Sequence, residues 1–298
     1  MRKYVIPNIR LGATSFLLHE TYVPAVRFAA ERCDDVALLL VEPGERNEYL
    51  ATPGEIAEIG RIIAGERATL HVHLPTDADF DTWQGARSMI GKIRRVAELT
   101  GPLDPHSFVL HVDFPSLHGT GGEPSAEQQE WTAEALREIA ACLPAPERLA
   151  VENLETYAPS FWDRWLAGTP YSRCLDVGHI WKDGGDPAPV LAAWLPRVRV
   201  IHLHGLEPRG SEADAAKPQG QQKAPEKLAE RTLSRLFGPR PRDHKSLRLM
   251  PPEFVDDVMH PLWETGFSGV LNLEVFSVED FTASHAVLMH SWERYAAS

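Results

Sequence analysis

Eight short apolar runs, each separated from the next by helix-forming or loop residues, constrain this chain more than any other feature of its sequence. The runs are Leu11–Phe16, Val36–Val41, Ala68–Leu74, Ser107–Val112, Arg148–Val151, Tyr171–Leu175, Val198–Leu203 and Gly269–Val275. Val36-Ala-Leu-Leu-Leu-Val41 is continuously apolar, as expected of a strand covered on both faces. Tyr22–Arg32, Trp83–Leu99, Ser125–Cys142, Pro187–Leu195 and Glu279–Tyr295 have helical spacing, and a shorter helix is expected near Ser160–Leu166. Thr52-Pro-Gly-Glu55 predicts a further helix start: Thr52 caps, Pro53 suits the first turn and Glu55 completes a capping box. Strands alternating with helices predict a parallel sheet, and eight of them close naturally as a (β/α)8 TIM barrel. A doubly wound open sheet is the alternative, but no Gly-rich phosphate loop follows the first run. At 298 residues and 43% hydrophobic, the chain can bury one large core. A single domain over 1–298 is the expectation.

Charge and cysteine usage narrow the function class. The formal charge is -12, from 42 acidic and 30 basic residues, which opposes a long nucleic-acid-binding surface. Cys33, Cys142 and Cys174 fit neither a disulfide framework nor a CxxC site, and so predict a reducing cytoplasm. No run approaches a membrane span. The expectation is a soluble cytoplasmic protein, a monomer or small homo-oligomer, with no nucleic-acid or membrane partner. Residues 207–249 join the seventh and eighth runs and far exceed a usual loop. Their first part is polar, Ala224–Phe237 can form a helix, and the stretch that follows is basic. This insertion reads as a lid over the barrel mouth or as a solvated excursion.

Active sites of such barrels lie at the C-terminal ends of the strands. The run ends supply His71, His73 and Asp77; His111 and Asp113; Glu152, Asn153 and Glu155; Asp176 and His179; His202 and His204; and Glu274. The insertion adds Asp243-His244. Carboxylates clustered against buried strands repel one another unless a cation lies between them. Divalent metal is therefore predicted, and Asp with His suits Zn, Mn or Fe. Asp176 and His179 can converge only if the backbone turns directly after Asp176, and Gly178 is read as permitting that turn. Strand parity puts His71 and His73 on one face, with His73 nearer the mouth and His71 inside the barrel. The same reasoning, by position alone, favours His204 over His202. His19, His106, His118, His260, His285 and His290 read as surface or helix histidines. Trp83, Trp162, Trp165 and Trp181 either stack a ligand ring or pack helices onto the barrel.

This constellation resembles the xylose-isomerase-like barrel superfamily, and within it the endonuclease IV branch. The resemblance rests on Glu152-Asn153, Cys174-Leu-Asp-x-x-His179, His202-Leu and Glu274. It implies that His73, His111, Glu152, Asp176, His179, His202, His244 and Glu274 ligate metal, two ions or three, with Zn first and Mn or Fe as alternatives. It also prefers His202 to His204. A departure lies in the insertion, where the family has Asp-x-His and this chain has the adjacent pair Asp243-His244. A closer resemblance is to the cobamide-remodelling phosphodiesterases (CbiR-type). It rests on Leu11-Gly-Ala-Thr-Ser-Phe16, Val72-His73-Leu-Pro-Thr-Asp77, Leu99-Thr-Gly-Pro-Leu-Asp-Pro105, Val151-Glu-Asn-Leu154 and Asp176-Val-Gly-His179. It implies hydrolysis of the phosphoribosyl bond in the nucleotide loop of cobamides, with a corrinoid as substrate.

On that reading Glu152, Glu274 and Asp176 are catalytic, Asn153 orients a ligand or the substrate, and Arg242 or Lys245 meets the phosphate. A sugar isomerase or epimerase on the same barrel is the first rival, since it also uses strand-end carboxylates and a His. An AP endonuclease-like DNA-repair enzyme and a non-catalytic binding barrel are the others. The number of histidines favours phosphoester hydrolysis.

Overall fold

The computed structural model describes residues 3–40, 50–208 and 241–297. Its central feature is a closed barrel of parallel strands: β1 Arg10–Thr14, β2 Asp35–Leu39, β3 Thr69–His73, β4 Phe108–Leu110, β5 Leu149–Glu152, β6 Ser172–Asp176, β7 Val198–Leu203 and β10 Val270–Leu273. Around the ring the order is β1-β10-β7-β6-β5-β4-β3-β2. Two further strands, β8 Gly205–Glu207 and β9 Arg242–Lys245, pair antiparallel as a separate ribbon. The helices are α1 Tyr22–Ala30, α2 Pro53–Glu66, α3 Trp83–Thr100, α4 Ala126–Ala141, α5 Asp163–Leu166, α6 Val177–Lys182, α7 Pro187–Trp194, α8 Pro252–Thr265 and α9 Val278–Ala296. The (β/α)8 barrel expected from the alternation is the fold.

Local signals explain most element boundaries. Thr52 accepts from the Glu55 amide while Glu55 accepts from the Thr52 amide at 2.7 Å, so the capping box at the start of α2 is made in full. Ser125 and Gln128 do the same for α4. Thr52→Ala should cost roughly 1 kcal/mol, read as a lowered midpoint in urea with an unchanged slope. Helix α8 lies outside the expected set because Pro251 precedes it, Pro252 opens it and Pro261 sits within it. Val255, Val258, Met259 and Leu262 are nevertheless buried at helical spacing. Val41, Glu42 and the helix expected over Ala224–Phe237 lie outside the described residues. So does most of the insertion read as a lid.

Register decides what faces the barrel axis. Asp176 is level with His202, and His202 with Asn272 of β10. Val109, Ala150, Cys174 and Val200 form their own buried cluster. Each lies two residues before a candidate site residue (His111, Glu152, Asp176 and His202), hence on the same face and one layer deeper. An apolar plug therefore underlies the mouth along β4 to β7. Trp162, Trp165 and Trp181 are buried in helix-to-barrel packing. The Trp162 indole donates to Val112 O at 3.1 Å. Among the described residues, no helix is long and apolar enough to cross a membrane.

Candidate metal centre

Strands β5, β6, β7 and β10 bring Glu152, Asp176, His202 and Glu274 together at the mouth, all buried. His202 Nδ1 lies 3.0 Å from Glu152 Oε1, 3.2 Å from Glu274 Oε2 and 3.9 Å from Asp176 Oδ2. The other oxygen of Glu152 lies 3.0 Å from His111 Nε2 and 3.3 Å from His73 Nε2. Glu152 thus sits among three imidazoles, one on Oε1 and two on Oε2. Three buried carboxylates around one histidine nitrogen need positive charge to be stable there.

Asp176 also starts α6. Its Oδ1 accepts from the His179 amide at 2.7 Å, so β6 passes straight into a helix and His179 is carried over the strand end. Gly178 is needed for a different reason from the turn expected of it. It is helical, and a Cβ there would stand 2.0 Å from His204 Cε1. The glycine makes room for an imidazole.

Asn153 spends both ends of its amide on Asp176, donating to its carbonyl at 2.8 Å and accepting from its N–H at 2.9 Å. It thereby fixes the backbone from which the Asp176 carboxylate projects. Asn153→Ala should lower divalent-metal affinity by about 10–100-fold, as loss of a group that orients a ligand does. Titration calorimetry of the folded variant checks this.

His202 and His204 are not alternatives. Two residues apart, both face inward, and His204 lies 3.4 Å from Asp176 Oδ1 in the next layer outward. The β8–β9 ribbon returns His244 beside it: the His244 amide donates to His204 Nδ1 at 3.0 Å, and the two rings are 4.3 Å apart. His244 holds a left-handed backbone, φ 52°. Lys182 fastens the ribbon by bonding both Asp243 and, at 2.8 Å, Glu155. His179, His204 and His244 have ligand atoms within 4.8 Å of one another, as do His73, His202 and Glu274, and His73, His111 and Glu152.

Electrostatics agree with cation-holding groups. Burial alone would raise the carboxyls of Glu152 and Glu274, but His202, helped by His111 at Glu152, holds both well below the usual carboxylate range. Burial opposes charge on His179, yet Asp176 and Glu155 push its pKa up to about 9. The orphaned buried atoms Asp176 Oδ2, His202 Nε2 and His204 Nε2 leave ligand capacity unspent. Carboxylate and imidazole donors of this kind fit a divalent ion.

Other expected residues stand apart. Asp113 accepts from Tyr157 Oη at 2.7 Å, and Asp77 pairs with Lys92. Arg242 and Lys245 lie on the ribbon, each 3.8 Å from Glu207. His106, read as a surface histidine, instead reaches the buried Asp35 at 3.0 Å. Asp35 opens its strand rather than closing it, so a search of strand ends passes over it.

No protein-family model matches the sequence, and no curated protein matches it. Solved structures do. A xylose isomerase domain protein from Planctomyces limnophilus superposes with TM-score 0.64 at 12% identity, covering 97% of this chain and 99% of its own. A D-tagatose 3-epimerase-like protein gives 0.62 at 16% identity, with 97% and 99% covered. The likeness is one of fold: these structures share the closed (β/α)8 barrel. An L-ribulose 3-epimerase, TM-score 0.62 at 12% identity, covers 97% of both chains.

These likenesses correct the hydrolytic reading. End-to-end matches carry epimerase names rather than the name of a phosphodiesterase. The error has a physical source. Strand-end carboxylates and histidines hold a metal equally well for either chemistry, so the histidine number did not discriminate. Among the described residues, Lys182, Arg242 and Lys245 each lie beside a carboxylate.

Proposed function

We propose that this barrel is a divalent-metal-dependent isomerase or epimerase of a small hydroxy-carbonyl sugar. One observation carries the reading: two buried carboxylates, Glu152 and Glu274, meet at a single imidazole nitrogen, at 3.0 and 3.2 Å. Glu152 ends β5 and Glu274 directly follows β10; in the ring β10 adjoins β7, and β5 lies beyond β6 on the other side. Glu152, Asp176, His202 and Glu274 would hold the ion. A divalent ion held there supplies Lewis acidity towards a carbonyl and its neighbouring hydroxyl.

Inverting a carbon beside a carbonyl requires a base on one face and an acid on the other. Glu152 and Glu274 are the pair for that exchange: the ionised carboxylate of one takes the proton from carbon, and the other, having first taken up a proton, returns it to the opposite face. Asp176, fixed by Asn153, steadies the ion's position. His179, His204 and His244, and separately His73 and His111, offer places for a second ion and for substrate hydroxyls. The epimerase names of the structural relatives, for D-tagatose, D-allulose and L-ribulose, supply the substrates to try first.

The test is to incubate the protein with these ketoses and a 3-keto-glucoside in D2O, with Mn2+, Mg2+, Co2+ or Zn2+ supplied and then chelated. The expected result is a new diastereomer carrying one solvent deuterium, formed only with metal. No exchange on any sugar under any metal overturns the proposal.

A further inference from the structure

The layer beneath the mouth is apolar along β4 to β7 but polar on the other side of the barrel. There Asp35 opens β2, Thr69 opens β3, His71 lies one layer below His73, and His106 precedes β4. Asp35 Oδ1 lies 2.5 Å from His71 Nδ1, and Oδ2 lies 3.0 Å from His106 Nε2 and 2.5 Å from Thr69 Oγ1. The His106 amide donates to Leu70 O at 3.0 Å, which holds its ring over the group. We infer that Asp35, His71 and His106, with Thr69 beside them, form a further divalent-cation site at the N-terminal end of the barrel, of the kind Zn2+ takes.

Barrel interiors are ordinarily filled by branched apolar side chains, and an isolated carboxylate there is costly unless its charge is met. Asp35 and His71 are fully buried, and the His106 side chain is 18% exposed. The two imidazole rings lie 5.7 Å apart, and the His71 ring is also 6.2 Å from that of His202. A dication held by Asp35 and the two imidazoles would meet the carboxylate's charge, and His71 Nε2 is buried with no hydrogen-bond partner. Two histidines and an aspartate converge with ligand atoms within 4.8 Å of one another, a common zinc donor set that leaves a fourth position open. His106, at the rim, leaves a way in for the ion. The inference is independent of the activity proposed for the mouth.

Protein stripped with chelator, reloaded with Zn2+ and dialysed gives the test by elemental analysis. His106→Gln should bind one equivalent less than wild type, whereas Glu274→Gln, altered only at the mouth, should keep that equivalent. His106→Cys should restore it, and Co2+ bound there should show a sulfur-to-cobalt charge-transfer absorption that wild type lacks. Equal zinc in wild type and folded His106→Gln overturns the inference and leaves a hydrogen-bonded Asp–His cluster. If His106→Gln fails to fold, absence of the cobalt band in folded His106→Cys overturns it instead.

Discussion

Glu152→Gln should lower kcat by about 10³-fold, within the range a positioned acid or base contributes, in a protein that still folds. Glu152 has a second task besides proton transfer, because its two oxygens face His202 on one side and His111 and His73 on the other. The amide removes the charge and turns an N–H towards one of those imidazoles. Metal affinity should therefore fall along with turnover. Glu152→Asp keeps the charge but withdraws it by one methylene, and should retain part of the metal binding with little of the rate. The checks are initial rates on whichever ketose exchanges deuterium, metal content, and circular dichroism of each variant. Near-normal turnover in folded, metal-loaded Glu152→Gln would remove this residue from the mechanism.

The second large effect is on stability. Gly178→Ala should destabilise the protein by roughly 3 kcal/mol, the upper part of the usual range for forcing an extra carbon into a packed interior. The added Cβ would stand 2.0, 2.3 and 2.4 Å from three ring atoms of His204, which is fully buried. The ring has little room to retreat, since His244 and Asp176 lie against it. Because alanine is the better helix former, a gain in stability would show that His204 swings aside freely. The clash is relieved in Gly178→Ala/His204→Ala, so that double variant should recover part of the loss. Denaturant midpoints for the two variants and wild type measure it.

Much of the barrel was legible in the sequence. Strands buried on both faces are mostly apolar, and the helices that cover them carry a one-sided stripe, so the run Val36–Val41 reads as strand and Ser125–Cys142 as helix from composition and spacing alone. The capping box of α2 was equally legible, because it depends on residues three apart. The carboxylates and imidazoles at strand ends could be named for a similar reason: in a parallel barrel every strand's C-terminal end reaches the same mouth. Glu152, Asp176, His202 and Glu274 are candidates on that ground, and they do meet.

Tertiary structure decided what linear spacing leaves open. His202 and His204 looked like competitors, yet a closed barrel stacks residues two apart in successive layers, and both belong to the mouth. Gly178 looked like a hinge, and its role is clearance for a ring supplied by another strand. Asp35 and His106 are 71 positions apart and come together only because β2, β3 and β4 are neighbours in the ring. The reaction was the least legible part. A metal held by carboxylates and imidazoles serves hydrolysis and proton transfer alike, and the choice between them turns on what surrounds the ion in three dimensions.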